Sequence, residues 1–163
     1  MPPGSERRGP SPRCSTICVA EPVLAVFDSS ALVKLLVEED GSELAARLWD
    51  EADAVVTSRL AVVEVPAALH AARRHDRLDG ASLEVALTLW ARLLRGLPLL
   101  ELTQALADRA AELTSHLVLG GADAVHLAGA LQLSDADPVL VVWDRRLHKA
   151  ALASGLRAAP AAL

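Results

Sequence analysis

Val23-Leu24-Ala25-Val26-Phe27-Asp28-Ser29-Ser30-Ala31-Leu32-Val33-Lys34 runs from a short apolar block into a segment of helical spacing, with one carboxylate at the junction. Val23 to Phe27 reads as a buried strand. Ser29 or Ser30 can cap a helix that reaches about Glu39 before Gly41 breaks it. Asp28 then stands at the carboxyl end of a strand, where open α/β sheets bind their ligands.

The same alternation continues along the chain. Ser42 can cap a helix with Leu44, Ala45 and Leu48 on one face, and Ala54 to Thr57 reads as a second strand. Ser58 opens a helix to about Arg74, with Glu64 in its second turn and a kink expected at Pro66. Asp79-Gly80 is a turn, and Leu83, Leu87, Trp90 and Leu94 mark an amphipathic helix from Ser82 to Leu97. Pro98 to Leu102 reads as a strand, and Thr103 starts a helix to about Leu119. Gly120-Gly121 breaks the pattern. Ala122 to Leu133 is a helix with Asp123 in its first turn. Pro138 to Trp143 is the last clear strand, Asp144 follows it, and a helix from Arg145 to Ala153 ends at Gly155. Strands alternating with helices predict an α/β fold: a small central parallel sheet flanked by helices in three layers.

Composition agrees with one such domain. Of 163 residues, 52% are hydrophobic but only 2% aromatic, so Ala, Leu and Val must build the core. No stretch approaches the roughly 20 uninterrupted apolar residues that span a bilayer. Residues 1–21, rich in Pro, Gly, Ser and Arg, lack apolar periodicity and are expected to be a disordered extension to a domain over 22–163. Cys14 and Cys18 both fall in that extension, too few for a disulfide framework or a zinc site, and a reducing cytoplasm is the expected compartment. The formal net charge of −5 excludes a protein that grips nucleic acid by basic charge alone.

Four acids stand where they could meet: Asp28 and Asp144 after strands, Glu64 and Asp123 early in helices. Parallel strands put their carboxyl ends at one edge of the sheet. Each acid also has a plainer reading. Asp28 and Asp144 can be helix caps, and Asp123 can complement a helix dipole. Glu64 lies between Val63 and Val65 and is either exposed or paired. Together the four pose an electrostatic problem, since two full charges about 5 Å apart repel by about 3 kcal/mol at an effective dielectric near 20. A hard divalent cation with oxygen ligands resolves it, and can activate water for phosphodiester hydrolysis.

The sequence around these acids resembles the PIN-domain ribonucleases, especially the VapC-like toxins of toxin–antitoxin modules. Phe27 to Lys34 is similar to the opening block of that family, and Ser58-Arg59-Leu60-Ala61-Val62-Val63-Glu64-Val65 to its second. Ala122-Asp123-Ala124-Val125-His126-Leu127-Ala128 resembles the third, and Val142-Trp143-Asp144-Arg145-Arg146-Leu147 the fourth. The similarity covers about Val23 to Pro160. It implies a PIN-like three-layer fold and a metal-dependent endoribonuclease. Asp28, Glu64, Asp123 and Asp144 would hold one or two Mg2+ or Mn2+ ions, and Ser30 would orient the first aspartate or a metal-bound water. It implies an RNA substrate, a cognate antitoxin and a homodimer. Val142 departs from the family, where a hydroxyl residue often supports the fourth acid, which makes Asp144 the ligand most in question.

Arg146, beside the fourth acid, is the preferred RNA contact, with Lys34 as a second. His126 follows Asp123 by one helical turn. Among candidate ligands that are otherwise carboxylates, it reads as a surface residue or as a support for them. Two other classes compete. A haloacid-dehalogenase-type phosphotransferase needs a second Asp two residues after the first, where this chain has Ser30. A non-catalytic PIN-fold binding or regulatory domain would not need all four acids.

Overall fold

The computed structural model describes residues 22–162. The expected disorder of residues 1–21 concerns a segment outside the described residues. Within them the chain runs β1 (Leu24–Phe27), α1 (Ser29–Lys34), α2 (Ser42–Asp50), β2 (Ala54–Ser58), α3 (Ala61–Arg74), α4 (Gly80–Leu94), β3 (Leu99–Leu100), α5 (Gln104–His116), α6 (Gly121–Leu131), a 3-10 turn (Ser134–Ala136), β4 (Val139–Val141), α7 (Arg145–Ala153) and β5 (Arg157–Ala159).

The strands form one sheet in the order β3-β2-β1-β4-β5, and every neighbouring pair is parallel. The register sets Val26 opposite Val56 on one side and Leu140 on the other. Side chains alternate across the pleat, and two cores result. Val26, Leu140 and Val142 pack with α5, α6 and α7 through residues such as Leu106, Leu127 and Leu147. Ala25, Phe27 and Val141 pack with α1, α3 and α4 through Leu32, Leu69 and Trp90. Phe27 meets the Trp49 ring edge-on, with centroids 5.2 Å apart. These are the three layers expected.

The chain leaves β1 toward β2 and β3 on one side and toward β4 and β5 on the other. The order therefore reverses between β1 and β4, and a crevice outside the carboxyl ends of those strands is the usual ligand position. Asp28 ends β1, its N–H donating to the Val141 carbonyl of β4 at 3.0 Å.

Several boundaries differ from the sequence reading. The N-cap of α1 is Asp28 itself, not Ser29 or Ser30, because its side chain accepts the Ser30 N–H. The helix stops at Lys34, and a loop leads to Gly41, which holds φ +92°. A side chain there would clash, since a Cβ would lie 2.6 Å from the Trp143 indole nitrogen. Ser58 closes β2 rather than opening a helix, and α3 continues through Pro66. The strand expected from Pro98 to Leu102 shrinks to two residues, while β5 adds an edge with little strand signal in its sequence.

Candidate active site

Asp28 is nearly buried, at 6% exposure. Its Oδ2 accepts the Ser30 N–H at 2.9 Å. The local sequence builds this arrangement, because the residue that ends a strand also caps the next helix. Asp144 repeats it after β4. Its Oδ1 accepts the N–H groups of Arg146 at 2.8 Å and Leu147 at 3.0 Å. Val142 lies fully buried in the α5–α7 core. The Asp144 side chain is held by the N-terminus of its own helix. The Ser30 hydroxyl accepts the Trp143 N–H at 2.9 Å, tying the start of α1 to the residue before Asp144.

Glu64 lies in the first turn of α3 rather than the second. Its Oε2 accepts two hydrogen bonds, from the Ser29 hydroxyl and from His126 Nε2, each at 2.6 Å. His126, on α6, is buried at 2% exposure. Its other nitrogen, Nδ1, lies 3.5 Å from Asp28 Oδ1 and has no hydrogen-bond partner. The imidazole therefore stands between the first and second acids. His126 is not a surface residue; it supports the carboxylates. Ser29 is a member of the site that the sequence reading missed. Its place beside Asp28 was the available signal, but only the α1–α3 packing shows that it reaches Glu64.

Asp123, Glu64 and His126 respond to their surroundings. Burial raises the Asp123 carboxyl above its ordinary value, and the Asp144 and Asp28 charges push it further; the Gly120 backbone and Arg146 partly offset this. The His126 hydrogen bond holds Glu64 below its ordinary value, against the opposing effect of burial, and Ser29 adds to it. Burial presses His126 down, but Glu64, Asp28 and Asp123 outweigh that, and its net shift is upward.

Arg146 is exposed on the first turn of α7 and acts electrostatically on Asp123. Lys34, the other expected RNA contact, is committed elsewhere. Its Nζ donates to Glu39 at 2.8 Å and to the Asp40 carbonyl at 2.6 Å, and lies 5.3 Å from the Trp143 ring centroid. With its side chain 9% exposed, it fastens the α1–α2 loop and is not a free cation. An apolar cavity of about 750 Å³, bordered by Ala54 and Pro98, lies at the opposite, amino end of the sheet, away from the acids.

The donors fit a hard divalent cation in kind: oxygens only, on carboxylates that repel one another. Hydrogen bonds within the described residues engage one oxygen each of Asp28, Glu64 and Asp144, and leave Glu64 Oε1 and Asp144 Oδ2 unengaged. No three His, Cys, Asp or Glu side chains among the described residues already close on one point at ligand distance.

Strand order and acid placement define an acid-lined α/β domain with a candidate site at the switch between β1 and β4. The PIN domain family matches residues 25–152, and the chain belongs to that family. Ribonuclease VapC45 of Mycobacterium tuberculosis (strain CDC 1551 / Oshkosh) is 49% identical over 140 residues, covering 86% of this chain and 97% of the relative. Ribonuclease VapC49 of Mycobacterium tuberculosis (strain ATCC 25618 / H37Rv) matches with the same figures. Within the PIN family the chain is therefore of the VapC type. A toxin–antitoxin complex from Klebsiella pneumoniae shares the fold, with a TM-score of 0.53 at 20% identity over 74% of this chain and 86% of that one.

Proposed function

We propose that this chain is a divalent-metal-dependent endoribonuclease, the toxin of a toxin–antitoxin pair, with Asp28, Glu64, Asp123 and Asp144 as its metal ligands. The observation that supports the site is geometric: Asp28 and Asp144, each held by the helix that follows its strand, stand at the switch between β1 and β4, with Glu64 joined to Asp28's neighbour Ser29. A cation among these acids would relieve the repulsion between their ionised forms. The ribonuclease activity is supported by two relatives at 49% identity over nearly their whole length.

A bound Mg2+ or Mn2+ ion, or a pair of them, supplies an activated water and charge stabilisation for in-line displacement at phosphorus. The protein's part is positional. Asp28 and Asp144 are set by backbone N–H groups, and Glu64 by Ser29 and His126. Ser30 fixes the distance between the first and fourth acids through Trp143. Arg146 offers a cation to the RNA backbone at the rim.

The antitoxin partner is supported by the shared fold with the Klebsiella complex. A cleft of about 450 Å³ beside Ser30 and Trp143, lined by Val33, Val37, Leu69 and Leu78, is open to a peptide. A homodimer belongs to the same reading, as does a cytoplasmic location, where RNA is the available substrate. No helix among the described residues is long and apolar enough to cross a membrane.

RNA cleavage by the purified chain with Mg2+ or Mn2+, beside Asp28→Asn and Asp123→Asn, tests the proposal. Each substitution should lower the rate by at least about 100-fold, near 2.7 kcal/mol of activation free energy. Equal activity in all three proteins, or cleavage indifferent to a chelator, would refute it.

A further inference from the structure

Asp28 and Asp144 are held by backbone N–H groups of the helices they cap. Glu64 has no such support. It is the longest of the four acidic side chains and projects from α3, with 30% of its side chain exposed. Two side chains from two other helices meet it instead. Ser29 Oγ, at the start of α1, and His126 Nε2, on α6, each donate to the same oxygen, Oε2, at 2.6 Å, and lie 3.5 Å from each other. Oε1 carries no hydrogen bond among the described residues.

We propose that Ser29 and His126 are positioning residues that clamp Oε2 of Glu64 and so present its other oxygen to the cation. This rests on the reading of Glu64 as a metal ligand and extends it to two residues outside the four acids. A packing role alone does not account for His126. Its Nδ1 is buried without a hydrogen-bond partner, and a buried polar atom left unpaired destabilises the fold. A leucine of similar size would fill the space without that penalty. The imidazole's short hydrogen bond runs from Nε2 to Glu64 at 2.6 Å, whereas Nδ1 lies 3.5 Å from Asp28 Oδ1 and makes none there, so the ring acts on Glu64.

The test is Mn2+ affinity of the full chain, measured by electron paramagnetic resonance of the free ion, alongside melting of the metal-free protein. Ser29→Ala and His126→Leu should each weaken Mn2+ binding by about 10-fold, the size of effect expected when a ligand loses the group that orients it. His126→Gln, which can bring an amide N–H to the same oxygen, should recover part of the loss. In a Glu64→Gln background neither substitution should weaken binding further, because both act through the same carboxylate. Unchanged Mn2+ affinity with a lowered melting temperature would overturn the clamp, as would losses that persist in the Glu64→Gln background. If Glu64→Gln itself binds Mn2+ like the wild type, Glu64 is not a ligand, and that reading falls with the clamp. Should His126→Leu fail to fold, partly exposed Ser29 decides the matter alone.

Discussion

His126 was the hardest residue to place from sequence. Its spacing from Asp123 puts it near the site, but only the fold, which brings α6 from one face of the sheet and α3 from the other to a common edge, sets it 2.6 Å from Glu64 and buries it. Lys34 is the reverse case. A lysine at the end of the helix that the first acid caps reads as a phosphate contact until the loop folds back and Glu39 takes it. The Glu64–His126 pair makes a pH prediction for the metal-free protein. The raised His126 value stabilises the fold fully below its ordinary 6.5 and loses that contribution as pH rises through the folded value. The lowered Glu64 value stabilises above its ordinary 4.5 and loses that as pH falls through the folded value. Both contributions are present together between 4.5 and 6.5, so Glu64→Gln should lose the most stability relative to wild type in that window. By NMR, His126 should titrate above an ordinary histidine, and Glu64→Gln should bring it down. A histidine that titrates normally in the wild type contradicts the pairing.

Among the elements, the strongly patterned ones were legible. Val23 to Phe27 and the apolar run from Val139 to Val142 announce central strands, and Asp28 and Asp144 fall where the switch point needs them. Failures occurred where tertiary contacts decide. Arg157-Ala158-Ala159 has no strand pattern, yet pairs with β4 along its length. Ser58 looks like a helix cap, but the sheet claims it through β3, and its hydroxyl accepts the Leu60 N–H before the helix begins. Gly41 breaks the helical pattern in the sequence, and the structure gives it a second reason: the Trp143 indole leaves no space for a side chain. Gly41→Ala should therefore cost about 1–3 kcal/mol through backbone strain and crowding, or about 2–4 °C of melting temperature per kcal/mol for a chain of this size. Gly80, at the start of α4 with open space around it, is the control. Gly80→Ala should be neutral or mildly stabilising. Equal melting temperatures for both variants would contradict the role given to Gly41.

At the scale of the whole molecule, a chain of net charge −5 must approach a polyanion. Affinity then depends on the local field, from the exposed arginines that follow Asp144 and, on the proposed reading, from a cation among the acids. Arg146→Ala should weaken RNA binding uniformly across sequences and reduce the slope of log affinity against log salt by about 1, as for loss of one phosphate contact. An unchanged slope removes Arg146 from the interface. On the proposed reading the acids also link metal to stability. A cation that binds only the folded chain raises its melting temperature by mass action, most of all where it relieves repulsion among Asp28, Asp123 and Asp144. A Mn2+ titration followed by both melting temperature and RNA cleavage therefore tests the central claim most directly. Both should rise over the same range of Mn2+ concentration in the wild type, and Asp123→Asn should abolish both. RNA cleavage that persists in a chelator, or that Asp123→Asn leaves intact, would contradict the account.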